Sequence, residues 1–136
     1  MKKINISLTL EEFEYINSFY PKGGKSSTIG KRAVEIVKIY FSNIYPGCKF
    51  RDPKDGCDLE VLPQNIKLEI KGTNDAGIAW NKLKVSSIHS YNQLMNNIPV
   101  YRVTNVFAQN PVIFILLFNL DFIMVQEDRW SIKRQR

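Results

Sequence analysis

Residues 58–73 read DLEVLPQNIKLEIKGT, and their pattern decides the fold that the sequence predicts. Apolar residues alternate with charged ones before and after Pro63-Gln64-Asn65, which indicates two half-buried β-strands joined by a turn. A shift of one residue would turn every apolar side chain toward solvent, so the apolar pattern restricts how the two strands pair. A tight turn at Pro63-Gln64 therefore places Leu59 opposite Leu68.

This register gathers two carboxylates and one ammonium on the other face of the hairpin. Asp58 faces Glu69, at the roughly 4.5–5.5 Å that separates opposed residues, and Lys71 lies next along the strand. A turn longer by two residues would pair Asp58 with Lys71 instead and keep all three on the same face. Charged residues that alternate with Leu and Ile are also typical of an ordinary half-exposed strand.

Two neighbouring carboxylates repel each other unless a proton or a cation lies between them. Hard oxygen ligands of this kind suit Mg²⁺, with Mn²⁺ as a substitute, and such an ion can activate water and contact a phosphate. Lys71 can orient or deprotonate that water, or stabilise the oxyanions of the transition state. Gly72 after it leaves room for a bulky ligand to approach the backbone. The cluster therefore predicts phosphodiester hydrolysis.

Outside this hairpin, the periodicity predicts an α/β protein of one domain, residues 1–136, with a mixed central sheet flanked by helices. The core, residues 25–120, is ordered as helix, three strands, helix and two strands. A strand-helix addition precedes it in residues 1–24, and residues 129–136 form a basic tail. Predicted strands also cover residues 4–10, 48–51, 100–107, 112–118 and an edge at 122–125. Predicted helix caps are Thr9, then Ser26, Ser27 or Thr28, then Ser86 or Ser87.

Composition favours a globular protein with a polyanionic partner. The 136 residues are 44% hydrophobic, enough for a core, and the net charge of +6 with a pI of about 9.4 favours binding to nucleic acid. Cys48 and Cys57 are too few for a disulfide scaffold and lack partners for a zinc site. The longest apolar run, residues 112–118, is too short to span a bilayer, so we expect a cytoplasmic protein with no membrane partner.

Two short segments, residues 56–61 (GCDLEV) and 68–73 (LEIKGT), resemble the PD-(D/E)xK nuclease superfamily, which includes many restriction endonucleases and Holliday-junction resolvases. The resemblance implies a restriction endonuclease-like αβββαβ core. It also implies that Asp58 and Glu69 bind Mg²⁺ with help from the carbonyl of Ile70, while Lys71 assists catalysis. The chain departs from the family pattern because no proline directly precedes Asp58, although Pro53 lies nearby.

Other residues are candidates for supporting roles. Some members of the superfamily place a further catalytic Glu on the first helix, and Glu35 resembles it, although helical spacing puts Glu35 on a polar face with Lys31 and Lys38. A loop after the active strand offers contacts to DNA phosphates and bases, from Trp80, Asn81, Lys82 and Lys84. Trp80 could equally be a core residue. On the last helix, Gln93 and Ser87 could support the site.

The sequence leaves several functions open. Restriction endonuclease-like cleavage of DNA is the main expectation, and Holliday-junction resolution is an alternative. Residues 4–43 also read as strand-helix-helix, which resembles a non-catalytic ribbon-helix-helix DNA-binding fold. Because the chain holds little beyond the nuclease core, we expect a homodimer or a partner subunit that supplies specificity.

Overall fold

Six β-strands form one mixed sheet in the computed structural model, which describes residues 1–23, 25 and 27–135. The strands are β1 (Lys2–Asn5), β2 (Lys49–Arg51), β3 (Leu59–Leu62), β4 (Ile66–Gly72), β5 (Val100–Thr104) and β6 (Val112–Leu116). The helices are α1 (Leu10–Phe19), α2 (Thr28–Ile44) and α3 (Ile88–Met95), with a short 3₁₀ helix over Trp80–Lys82. None of the described helices is long and apolar enough to cross a membrane.

The strands lie in the order β1-β6-β5-β4-β3-β2. β4 and β5 run parallel, joined by the crossover that contains α3, and all other neighbours are antiparallel. From α2 onward the chain runs helix, three strands, helix and two strands, as the sequence predicts. The expected α/β class, with a mixed sheet flanked by helices, is therefore confirmed.

The hairpin of β3 and β4 has the register that the tight turn predicts. Leu59 pairs with Leu68, and Val61 pairs with Ile66. Because side chains alternate along a strand, even-numbered residues of β4 point to one face of the sheet and odd-numbered residues to the other. Glu69 and Lys71 therefore share a face that Leu68 does not.

Different helices cover the two faces. On one side, α1 and α2 bury Ile16 and Ile36 in the same apolar cluster as Leu68. On the other side, Leu94 of α3 packs with Val100 of β5. Glu69 and Lys71 consequently point to the face that carries α3.

The helix starts follow the sequence closely. Thr9 and Glu12 form a capping box, in which each side chain accepts from the other residue's backbone amide. Ser87 caps α3 by accepting from the backbone of His89 and Ser90. Ser27 precedes α2 without a side-chain cap bond, and the alternative cap Ser26 lies outside the described residues.

Several predicted strands are wrong in extent, since β5 ends at Thr104 and β6 at Leu116, short of the predicted residues 107 and 118. The first was expected over residues 4–10, but β1 ends at Asn5 because Thr9 caps a helix that begins at Leu10. The edge strand expected at 122–125 does not form in the described chain. A turn with Asn119 at φ +67° follows β6, and Phe122 makes only an isolated bridge with Phe118.

Candidate functional site

The hairpin brings together the three side chains that the sequence singles out. The backbone amide of Asp58 donates to the carbonyl of Leu68 at 3.0 Å, which seats Asp58 against β4. One carboxylate oxygen of Asp58, Oδ2, accepts from the amide of Ile70 at 2.7 Å. The ammonium Nζ of Lys71 lies 3.8 Å from Glu69 Oε1.

Glu69 is the most unusual group in this cluster. It is only 3% exposed, and its Oε2 is buried with no hydrogen-bond partner among the described residues. Burial, together with the adjacent carboxyl group of Asp58, raises the pKa of Glu69 to about 8, whereas the charge of Lys71 acts in the opposite direction. The fold thus holds a carboxyl group where its charge is poorly compensated.

A divalent cation fits this arrangement, because it would supply the missing partner of Glu69 and relieve its repulsion with Asp58. No three His, Cys, Asp or Glu side chains gather in the part of the chain that the structure describes. The ion would therefore have two carboxylates as protein side-chain ligands, which suits Mg²⁺, an ion that keeps several waters. At Ile70 the amide contacts Asp58, and a role for its carbonyl as a ligand stays a prediction.

The turn that carries Asp58 is held by α3. Ser90 Oγ donates to the carbonyl of Gly56 at 2.9 Å, and Gln93 Nε2 donates to the carbonyl of Asp55 at 2.8 Å. Gly56 has φ +99°, and a Cβ at this position would lie 2.7 Å from the carbonyl carbon of His89. Gln93 thus contacts the turn that precedes Asp58, and its support of the site stays a prediction, whereas Ser87 serves as a cap.

Arg102 is a residue of the site that the sequence reasoning missed. It pairs with Lys71 across the parallel strands and is buried. Its guanidinium donates to the carbonyls of Gly72 and Ile78 at 3.0 and 2.8 Å, which holds the segment that follows β4. The sequence feature that could have revealed it is a single cationic residue within the mainly apolar strand Val100–Thr104.

Gly72 has a structural role in packing, which differs from the predicted role of leaving room for a ligand. A Cβ at this position would lie 2.8 Å from the Cβ of Ala33 and 2.9 Å from the carbonyl oxygen of Ile29. Both neighbours belong to α2, so the glycine allows the helix to approach β4. The expectation that it makes room for a ligand is not supported.

Glu35 is not brought into the cluster. It lies on α2, which packs on the face of the sheet opposite to Glu69 and Lys71. Its closest ionic partner is Lys38, at 3.9 Å on the next turn of the same helix. This position agrees with the polar face that helical spacing predicts for Glu35. It does not agree with the catalytic role that the resemblance to the superfamily implies.

The predicted DNA-contacting residues follow the catalytic strand at the surface. Trp80 is 47% exposed, so it is not a core residue, and Asn81 is exposed beside it in the 3₁₀ helix. Lys82 pairs with Asp75 at 2.8 Å, and Lys84 pairs with Glu127. Exposed ion pairs of this type contribute little to stability, so a phosphate can replace either carboxylate.

The burial of Glu69 predicts a pH dependence in the metal-free protein. Its pKa of about 8 lies above the roughly 4.3 of an unfolded chain, so its contribution to stability is complete below that lower value. In EDTA, the free energy of unfolding should fall by up to about 1.4 kcal/mol per pH unit as pH rises toward 8. Thermal unfolding of wild type and Glu69→Gln across this range measures the effect.

The variant should show a flatter pH profile, because glutamine does not ionise. Glu14→Gln, which changes an exposed carboxylate on α1, serves as the matched control and should keep the wild-type slope. Equal slopes for wild type and Glu69→Gln would contradict the idea that burial of this carboxylate costs stability.

In comparisons with protein-family models, curated proteins and solved structures, nothing matches this chain. The geometry of the cluster is therefore what a functional assignment has to be argued from.

Proposed function

We propose that this chain is a metal-dependent endonuclease that hydrolyses DNA phosphodiester bonds in the manner of restriction endonuclease-like enzymes. One observation carries the proposal: Glu69 lies beside Asp58 with its Oε1 3.8 Å from the ammonium of Lys71, while its buried Oε2 has no hydrogen-bond partner among the residues that the structure describes. An ordinary half-exposed strand has no reason to bury a carboxylate in this way, because the cost is several kcal/mol.

The order of elements supports the same proposal. From α2 to β5 the chain follows the sequence helix, three strands, helix, strand, which is the αβββαβ order of the PD-(D/E)xK superfamily. The two motif segments fall where that order requires them, at the start of β3 and along β4. We therefore propose a restriction endonuclease-like core, with β1 and α1 as an addition at one edge.

In this proposal Asp58 and Glu69 hold Mg²⁺ or Mn²⁺, assisted by the carbonyl of Ile70. When bound, the ion supplies a bound water of lowered pKa and offsets the charge that builds on the phosphate. Lys71 orients the attacking water or stabilises the phosphate oxyanions through its ammonium. The attacking water gives up a proton to solvent as its oxygen bonds to phosphorus, while the bond to the leaving sugar oxygen breaks and that oxygen takes up a proton from solvent.

Neighbouring residues position this machinery. Ser90 and Gln93 fix the turn before Asp58, so the carboxylate is held by α3 as well as by the hairpin. Arg102 fixes Gly72 directly after Lys71. Such support from rigid elements is what a catalytic constellation requires, since small displacements of reacting groups lower rates strongly.

The rival ribbon-helix-helix function receives less support. In that fold the first strand pairs with a strand of a second chain, whereas β1 pairs with β6 of its own chain. Ile16 of α1 also belongs to the same apolar cluster as β4. Junction resolution stays an alternative within the nuclease proposal, and DNA binding by a homodimer or with a specificity subunit is part of the same proposal.

The test is cleavage of plasmid DNA and of four-way branched DNA by the purified chain with Mg²⁺, with Mn²⁺ and with EDTA. Cleavage with either metal and none with EDTA is the expected result. Nicked or linear plasmid products indicate restriction-type cleavage, and symmetric cuts at the branch indicate resolution. If both DNAs bind equally in EDTA and neither is cut with metal, the proposal is wrong.

A further inference from the structure

Both tryptophans of this chain lie at the surface. Trp80 is 47% exposed, and Trp130 is 91% exposed. An indole buries a large apolar area when it finds a partner, so leaving both in water forgoes a substantial stabilisation. Exposed aromatic rings of this kind are typical of binding sites in which a planar group stacks on them.

Trp130 belongs to a strongly cationic segment. The tail, residues 129–136, contains four basic residues and no acidic one. It forms no helix or strand in its described part, and Ile132 in it is fully exposed. Basic residues together with two exposed apolar side chains, Trp130 and Ile132, suit a partner that offers both phosphates and flat apolar rings.

Two ion pairs lie on the chain between β4 and the residues just before the tail. Thr73, two residues after Lys71, donates through its hydroxyl to Asp75, and Asp75 pairs with Lys82. Two residues further along, Lys84 pairs with Glu127. Trp130 follows Glu127 by three residues, so its Cα lies within about 11 Å of that carboxylate's backbone. Lys84 follows the 3₁₀ helix by two residues, so the segment just before the tail is anchored to the chain directly after the helix that carries Trp80.

We propose that Trp80 and the tail form a binding surface for an unpaired nucleic-acid strand beside the catalytic cluster. The two indoles stack on bases, which are accessible in single strands but not in a duplex, while the tail cations contact phosphates. The substrate class is then DNA with a single-stranded segment. The inference that this strand is a substrate rests on the proposed nuclease function. The binding of the strand itself needs no metal.

The ion pairs at Lys82 and Lys84 suit such a surface. Their partners, Asp75 and Glu127, keep the lysines in place without burying them, since all four side chains are substantially exposed. A phosphate that arrives can therefore take over a lysine at little cost. An anionic membrane is the other polyanion to consider, but tails that bind membranes in the interface are typically amphipathic helices, and this one is not helical.

The test uses the full chain in EDTA, where cleavage cannot interfere. Tryptophan fluorescence is followed during titration with oligothymidine of about 16 nucleotides and with a duplex of the same length. We expect quenching and tighter binding for the single strand. Trp130→Ala should weaken single-strand binding about tenfold, Trp80→Ala should act similarly, and Trp130→Phe should retain most of the affinity because it keeps an aromatic face.

Tyr15→Ala is the matched control, since Tyr15 is another exposed aromatic residue but lies on α1. It should leave binding unchanged. A purely electrostatic tail would show no difference between Trp130→Ala and Trp130→Phe, and that result would overturn the inference. Quenching by vesicles of anionic phospholipid without quenching by oligothymidine would overturn it in favour of a membrane.

The outcomes also separate this inference from the proposed function. If the chain binds oligothymidine through Trp130 in EDTA but cuts no DNA with metal, the nuclease proposal fails and the binding surface stands. If the chain cuts DNA with Mg²⁺ while Trp130→Ala binds oligothymidine like wild type, the binding surface fails and the nuclease proposal stands.

Discussion

Lys71→Ala is expected to lower the rate of metal-dependent DNA cleavage by about 100-fold or more, with DNA binding in EDTA nearly unchanged. The reason is that its ammonium lies 3.8 Å from Glu69, where it can act on the attacking water and the phosphate. Glu69→Gln should abolish cleavage as well, and it should also remove the stabilisation by Mg²⁺ against thermal unfolding. Single-turnover cleavage at saturating protein measures the chemical step separately from binding.

Lys31→Ala provides the matched control, because Lys31 is an exposed lysine on α2, the helix that packs on the opposite face of the sheet. It should cleave at the wild-type rate. Glu35→Gln tests the assignment taken from the superfamily, and its loss of cleavage would show that this side chain reaches the site during catalysis. Wild-type cleavage by Lys71→Ala would show that the hairpin is not the active site.

Gly56→Ala should destabilise the protein by at least about 2 kcal/mol and reduce cleavage as well. Two costs add: the left-handed conformation at φ +99° is unfavourable for alanine by about 1–2 kcal/mol, and its Cβ would lie 2.7 Å from the backbone of His89. Relief of this clash requires α3 and the turn to separate. Because Asp58 follows the turn directly, this separation also displaces its carboxylate. Urea unfolding monitored by circular dichroism measures the change in free energy.

Gly77→Ala is the control for this prediction. A Cβ at Gly77 meets no described atom within 4 Å, and the residue does not require a positive φ. Its substitution should change stability by less than about 1 kcal/mol, with the sign favouring alanine. If Gly56→Ala unfolds at the same urea concentration as Gly77→Ala, the contact between the turn and α3 does not hold the site together.

The hairpin illustrates what local rules can determine. The alternation of apolar residues on both strands excludes a shift of one residue, and the tight turn selects the pairing of Leu59 with Leu68 that is observed. The same alternation places Asp58, Glu69 and Lys71 on one face without any knowledge of the rest of the chain. The helix starts at Thr9 and Ser87 likewise follow from the chemistry of capping, which involves neighbours three residues apart or fewer.

Other features depend on partners that are distant in sequence. Gly56 and Gly72 read alike as turn or ligand glycines, yet each one accommodates a helix, the first α3 and the second α2. Arg102 looks like a surface cation in a strand, but it is buried because the loop after β4 offers carbonyls to its guanidinium. Glu35 shares a motif position with catalytic residues of the superfamily, but the sheet separates it from the cluster.

The sequence by itself determined the α/β class, the order of elements, the face of the sheet on which each hairpin residue lies and the identity of the three clustered side chains. These properties follow from periodicity and from contacts within a few residues. The tertiary structure alone decided that one carboxylate oxygen of Glu69 is buried without a hydrogen-bond partner among the described residues and that both tryptophans remain exposed. Burial depends on which helix covers which face, and that is settled by packing between elements that are far apart in the chain.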